Sequence, residues 1–401
     1  MACANDVVDR IRIISSDVIS SIVGTGNSYT GDAAATAFGL PDPTGIAIDA
    51  GNSDIYIGSS GMVQIFVYTK STGIVTTFAG NDVGGVTEGY ATAVTIDFPE
   101  GLFLDTNSQL YFSDYYQCTV RVVTPNMPTV SPTQAPSISP TYHSTENPTA
   151  LPSTLVPSPA PTTPAPSTVR NSINYIYTVV GTGSDVSSGT GGLAVFAGSS
   201  EPVGVWQDTS GVLYFSEYGA SCVRKFSVSD NIVHAFAGVC QSTDEIESGV
   251  VATSTYLDSP YGVMGDTLGN VYIADSGHSR VHVVDATGIL SFFAGKGNTE
   301  GSGGEVATTA SLPYPTWLWL NTNGQVYVYS SYKIQTVVNG KISTFLGTGS
   351  VGGDDDTGVA SSAMLSSFGG ITGDTANNIY YTDNSKYFIC FIHLNLIQFL
   401  R

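Results

Sequence analysis

Charge is scarce in this 401-residue chain: 11% of residues are Asp, Glu, Lys or Arg, and 13 cations face 33 acids for a formal net charge of −20. So few cations cannot build the basic face that nucleic acid or an anionic membrane requires. Low charge together with 45 glycines also excludes a long-helix or coiled-coil protein. Long apolar runs are missing too. The most apolar stretch, residues 387–400, is short and interrupted by His393, Asn395 and Gln398, so no membrane span is expected. Residues 1–10 hold no apolar h-region of a signal peptide, so the chain is expected to be intracellular or to start downstream of a missing leader. Five cysteines, an odd number, argue against a disulfide-dense scaffold.

Proline is confined rather than absent. Twelve of the 19 prolines fall between Pro125 and Thr168, beside many Ser and Thr. Such a segment lacks the apolar mass for a core and is expected to be an extended, solvated chain. It is a plain spacer or an O-glycosylated stalk, and the second of these would suit a secreted or cell-surface protein.

What fills the rest is a repeat. An apolar strand ends in Gly at Val23-Gly24, Ala79-Gly80, Val180-Gly181, Ala237-Gly238, Ala294-Gly295 and Leu346-Gly347, in steps of 56, 101, 57, 57 and 52 residues. The long step is one period plus the Pro-rich insert. After each strand comes a Pro-x-Gly landmark: Pro43-Thr44-Gly45, Pro99-Glu100-Gly101, Pro202-Val203-Gly204 and Pro260-Tyr261-Gly262. It decays to Pro315-Thr316-Trp317 and Phe368-Gly369-Gly370. A strand tyrosine follows in turn at Tyr56, Tyr111, Tyr214, Tyr272, Tyr327 and Tyr380. Within a unit the hydrophobic period is two, and turns such as Asp266-Thr267-Leu268-Gly269-Asn270 separate the strands.

These features predict an all-β chain: a six-bladed β-propeller of four-stranded antiparallel blades. Residues 10–14 and 18–23 look like a third and a fourth strand with nothing before them. The ring is therefore expected to close by these N-terminal strands pairing in the C-terminal blade. Residues 7–124 and 172–384 form the two parts of the propeller, residues 125–171 a disordered insert within one blade hairpin, and residues 385–401 an atypical tail.

The landmarks resemble the NHL repeat family of propellers. The fullest match is Gly24-Thr25-Gly26, Tyr29-Thr30-Gly31-Asp32, Ala35-Thr36-Ala37 and Pro43-Thr44-Gly45-Ile46-Ala47-Ile48-Asp49. The run from Gly269 to Val281 matches the family's tyrosine-strand core. The variety is similar to the propellers of teneurins and of uncharacterised surface proteins. The resemblance implies fold; its members include RNA-binding, protein-binding and catalytic proteins, so it does not choose an activity.

Acids gather on the loops at one end of such a propeller. Asp32 and Glu88 lie on loops entering a blade, and Asp114, Glu217, Asp275 and Asp383 directly follow the tyrosine strand. They form a candidate docking face for a protein, or for Ca²⁺, which takes carboxylate oxygens. A structural role competes, because hydrogen bonding to turn backbone would also repeat an acid in every blade. Asp354, Asp355 and Asp356 are the local Ca²⁺ candidate but lack ligand spacing of the EF-hand kind. Cys222 and Cys240 face each other across a hairpin turning near Asp230-Asn231, as a disulfide or as two buried thiols.

Enzyme chemistry has little to stand on. The five histidines do not converge from several blades as a catalytic zinc site requires. Innermost strands read Ile46-Ala47-Ile48, Leu102-Phe103-Leu104 and Leu318-Trp319-Leu320, with none of the polar groups that lactonase-like or strictosidine-synthase-like catalysis needs. Trp317 and Trp319 serve a channel mouth or packing between blades. The sequence thus leads to a non-catalytic, monomeric binding propeller for protein or glycan ligands, with a propeller hydrolase, lactonase or lyase using a channel metal as the alternative.

Overall fold

In blades two to five the turn between the first and second strands is built by one short polar side chain. Asp105 Oδ1 accepts the backbone N–H groups of Asn107 and Gln109, both at 2.8 Å, and Asp208, Asp266 and Asn321 repeat the arrangement in later units. An aspartate or asparagine that bonds its own backbone two and four residues on reverses the chain without tertiary help. The strands on either side of each turn therefore pair in the order of the chain.

The computed structural model describes residues 11–15, 18–23, 33–35, 38–125, 174–242, 247–296, 306–350, 360–365, 368–375, 378–383 and 388–392. Five blades have four consecutive antiparallel strands. Blade one is Pro43–Ile48, Ile55–Ser59, Gln64–Thr69 and Ile74–Ala79. Blade two is Pro99–Leu104, Leu110–Asp114, Thr119–Thr124 and Tyr175–Val180. Blade three is Pro202–Gln207, Val212–Glu217, Cys222–Ser227 and Ile232–Ala237. Blade four is Pro260–Gly265, Val271–Asp275, Arg280–Val284 and Ile289–Ala294. Blade five is Pro315–Leu320, Val326–Ser330, Lys333–Val338 and Lys341–Leu346. Two-residue strands, Ala33–Ala34, Gly89–Tyr90 and Val250–Val251, cover the outer edges of blades one, two and four. The last two strands of blade two pair antiparallel from Val120↔Val180 to Thr124↔Tyr175, so the Pro-rich stretch begins and ends at one hairpin.

The expectation of six such blades is corrected here: the four-stranded antiparallel blades number five. The remaining sheet runs in the order Val18–Val23, Ile11–Ser15, Phe388–Ile392, Ile379–Asp383, Phe368–Gly373. Phe388–Ile392 takes the third place by antiparallel pairing with Ile379–Asp383, and Ile11–Ser15 joins it in parallel through Ile11↔Ile389. The N-terminal pair is thus appended to a five-stranded mixed sheet and does not complete a blade. The physical reason is loop closure. A strand a few residues away in sequence reaches the open edge at far lower entropic cost than one at the opposite end of the chain.

The inner strand of that sheet, Phe368–Gly373, lies between Pro315–Leu320 and Pro43–Ile48 and closes the ring around the axis. Hydroxyls stitch three of the sheets to the next. Ser113 Oγ accepts the Gly101 N–H at 2.8 Å and donates to the Val203 carbonyl of blade three at 2.7 Å. Ser216 does the same between Gly204 and Tyr261, and Thr382 between Gly369 and the Thr44 carbonyl of blade one. This contact explains the landmark glycine. A Cβ on Gly101 would lie 2.1 Å from the Val203 carbonyl oxygen, and one on Gly204 2.4 Å from that of Tyr261. Gly101→Ala is expected to lower the folding free energy by about 2–3 kcal/mol, read from urea unfolding midpoints, because backbone on both sides must shift.

Apolar faces meet between blades. Tyr214, Val223 and Ala237 of blade three pack with Val263, Ile273 and Leu290 of blade four around the buried Leu257. Among the described residues no helix is long and apolar enough to cross a membrane.

Candidate ligand site at the mouth of the central channel

The innermost strands run in the same direction around the axis, so equivalent positions form layers. The landmark glycines Gly45, Gly204, Gly262 and Gly370 edge a channel of about 180 Å³ whose lining side chains are mostly apolar, including Ile46, Leu102, Val205, Val263, Leu318 and Ile371, with Thr372 among them. The residue before each landmark glycine stands at the mouth above. In blade two that residue is Glu100, 8% exposed. Burial alone acts on its carboxyl and pushes its pKa up to about 8. In blade five it is Thr316, whose buried Oγ1 has no hydrogen-bond partner. In blade four it is Tyr261, raised by burial first and then by the charge of Glu100, two blades away, and by Tyr115, Tyr218 and Glu201.

Tyrosines from the turns behind the second strands complete the mouth. The Tyr115 N–H donates to the Phe98 carbonyl at 3.0 Å, and the Tyr218 N–H to the Glu201 carbonyl at 3.0 Å, which fixes both turns against the entry to the first strand. Tyr218 and Tyr261 meet edge to face at 5.5 Å, Tyr261 and Trp317 at 5.7 Å, and Tyr115 and the exposed Tyr116 at 5.1 Å. Burial raises the Tyr115 hydroxyl, and its hydrogen bond to the Glu201 carboxylate raises it further. Aromatic rings from several blades thus gather beside the channel-lining Trp317.

The acids singled out in the sequence are elsewhere. Asp114 is fully buried against Arg121 at 3.0 Å. Burial lifts its pKa to about 6 against the pull of the Arg121 guanidinium and the Asp97 N–H. Glu217 is fully buried against Arg224 at 3.2 Å. Asp275 Oδ2 lies 2.8 Å from His278 Nδ1 and 2.9 Å from His282 Nε2. Its burial works upward, and the two imidazoles outweigh it and hold the carboxyl below its usual range. Each of these acids lies seven residues before its third-strand partner, on the neighbouring strand. Each arginine also ties the loop entering its blade: Arg121 donates to the Thr87 and Thr95 carbonyls, Arg224 to those of Ser188 and Gly198. Glu88 is exposed on such a loop and accepts the Thr178 N–H at 3.0 Å. Only the backbone of Asp383 is described, and Asp32, Asp354, Asp355 and Asp356 lie outside the described residues.

Cys222 and Cys240 are joined by a disulfide with their Cα atoms 4.9 Å apart, and Glu217 Oε2 lies 3.4 Å from Cys222 Sγ. Those three residues form the one His/Cys/Asp/Glu cluster of metal-binding dimensions among the described residues, and two of its donors are spent on each other.

The mouth residues carried a signal in the sequence. Glu100 and Tyr261 occupy the middle of the Pro-x-Gly landmark, and Tyr115 and Tyr218 each directly follow an acid that was marked. Successive side chains at a strand end point to opposite sides, so the acid turns into the blade and its neighbour turns to the mouth.

No protein-family profile matches the chain. It is 27% identical over 230 residues to the chloroplastic protein Suppressor of Quenching 1 of Arabidopsis thaliana, over 53% of this chain and 21% of that protein. The chain thus spans about a fifth of the length of this curated relative. Among solved structures it is similar to a structural genomics protein of unknown function from Bacteroides thetaiotaomicron, with TM-score 0.57 and 14% identity over 91% of this chain and 72% of the other. It is similar to an auxiliary nutrient binding protein from the same organism, with TM-score 0.57 and 10% identity over 96% and 75%. It is also similar to a gluconolactonase of Xanthomonas campestris, with TM-score 0.51 and 10% identity over 96% and 94%. At such identities the likeness shows the fold alone, and that fold is a β-propeller.

Proposed function

We infer that the chain is an NHL-type binding propeller, an interaction scaffold that takes a protein or glycan ligand at the mouth of its channel. One observation carries this reading: tyrosines and a tryptophan from several blades converge there with two carboxylates and an unpartnered hydroxyl. Aromatic faces and convergent polar groups above a preformed concavity are what ligand recognition uses. The fold likeness to a nutrient binding protein is in keeping with it.

The likeness to a gluconolactonase keeps a hydrolase as the second reading. One experiment separates the two. The full chain is screened against a glycan array and a lactone and ester panel beside Tyr116→Ser, a change at a 63% exposed position. Binding without turnover, weakened about tenfold in the variant, is expected, since aromatic truncations at binding sites cost on the order of 1–2 kcal/mol. Turnover of a lactone would make the chain an enzyme, and binding unaffected by Tyr116→Ser would move the site off the mouth.

A further inference from the structure

We propose that the Cys222–Cys240 disulfide is a thiol–disulfide exchange site for a dithiol reductant, and that its oxidation state sets the order of the loop entering blade four. This holds whether or not the channel mouth takes a ligand.

The loops entering blades two and three are each held by an arginine of the third strand. Arg121, opposite Phe112 in the sheet, donates to the Thr87 and Thr95 carbonyls. Arg224, opposite Phe215, donates to those of Ser188 and Gly198. In blade four the same register position, opposite Ile273, is His282. Its imidazole does not serve as that clamp: Nε2 lies 2.9 Å from Asp275 Oδ2, and the buried Nδ1 has no hydrogen-bond partner. The loop entering blade four, between Ala237 and Pro260, is instead fixed near its start, where Cys240 bonds to Cys222 at the head of the third strand of blade three. A covalent tie thus stands in the blade where the guanidinium is missing. The contacts beside it are weaker ones, from the Gln241 N–H to the Ala220 carbonyl at 2.6 Å and from the Val239 N–H to the Thr255 carbonyl at 2.9 Å. Val239 is exposed, so these bonds compete with water once the tie is cut.

Cys222 is fully buried and Cys240 half-buried, so an incoming thiolate attacks Cys240 Sγ. The S–S bond breaks, and Cys222 leaves and takes up a proton. The second thiol of the reductant then releases Cys240 as a thiol and closes the reductant's own disulfide. Two electrons and two protons pass to the protein, and one dithiol becomes a disulfide. The reduced state finds a partner in place: Glu217 Oε2, 3.4 Å from Cys222 Sγ, can accept the new S–H while Oε1 stays paired with Arg224 at 3.2 Å.

Hydrogen exchange of the full chain, oxidised and in dithiothreitol, tests the assignment, with opening of the bond followed by thiol alkylation and mass spectrometry. The amides of Val239 and Gln241 are expected to exchange about tenfold faster after reduction. Those of Thr87 and Ser188, in the arginine-held loops, should keep their rates. Cys240→Ser should show the fast exchange without reductant and no response to it. Four results would overturn the proposal: a bond that dithiothreitol leaves closed in the folded protein, unchanged exchange at Val239 and Gln241 on reduction, equal acceleration in all three loops, or a Cys240→Ser protein that still responds. The first three are read on the parent chain, so they stand even if the variant does not fold.

Discussion

Arg224→Met is expected to lower the folding free energy by about 3–5 kcal/mol at pH 7, enough to consume much of the stability of an ordinary domain. Arg224 is fully buried and gives hydrogen bonds to Glu217 at 3.2 Å, to the Gly198 and Ser188 carbonyls at 2.8 Å each, and to Ser187 Oγ at 3.3 Å. Methionine fills a similar volume but leaves Glu217 charged and buried, holding only the Ser187 hydroxyl at 2.5 Å and the Ser200 N–H at 3.3 Å. Truncating one partner of a buried ion pair exposes the cost of burying the other. The double change Arg224→Met with Glu217→Met should therefore recover part of the loss, though not the two loop carbonyls. Urea unfolding of the four proteins measures this as a coupling energy. A single variant within 1 kcal/mol of the parent would show that Arg224 does not hold the loop. Lys225→Met, one residue on and half-buried, serves as the control and should shift stability by less than about 1 kcal/mol.

Glu100→Gln is expected to act in the opposite direction and only at high pH. The carboxyl's pKa rises from 4.5 in the unfolded chain to about 8 in the fold, so between those values the folded state binds more protons than the unfolded one. Stability tied to this group is full below pH 4.5 and is lost as pH rises through 8. Parent and Gln variant should match near pH 4. Above pH 8 the variant should be the more stable by roughly 3–5 kcal/mol, the energy of a shift of this size. Thermal melts of both proteins across pH 4–9 give the difference curve. Parallel curves would mean that the carboxyl is solvated or paired.

Architecture was legible before any coordinate because it depends on local chemistry repeated at a constant period. Gly-terminated strands, Asp and Asn turns and alternating apolar residues act within a few positions of themselves, so pattern and structure agree through all five complete blades. The fourth-strand partner of Thr119–Thr124 was visible across the Pro-rich stretch for the same reason. The end of the ring was not legible. Residues 10–14 carry a third-strand pattern, and pattern cannot weigh the entropy of bringing that strand, rather than Phe388–Ile392, to the edge.

The acids show the other limit. Asp114, Glu217 and Asp275 were visible as a repeated position, yet the direction of a side chain at a strand end depends on the register of the next strand and on what the third strand brings opposite. Arg121, Arg224 and His282 stand on that strand and draw each acid inward.

Composition and periodicity by themselves determined an all-β propeller of Pro-x-Gly units, poor in cations and interrupted by one Pro-rich stretch, since hydrogen-bonding turns and period-two hydrophobicity need no distant partner. Tertiary structure alone decided how many blades are complete, which acids are buried, and that Glu100, Tyr115, Tyr218, Tyr261 and Trp317 meet at one mouth. Those outcomes depend on contacts between distant blades, as far apart in sequence as Thr382 and Thr44, 338 residues, where closure geometry and desolvation, rather than local pattern, set the energy.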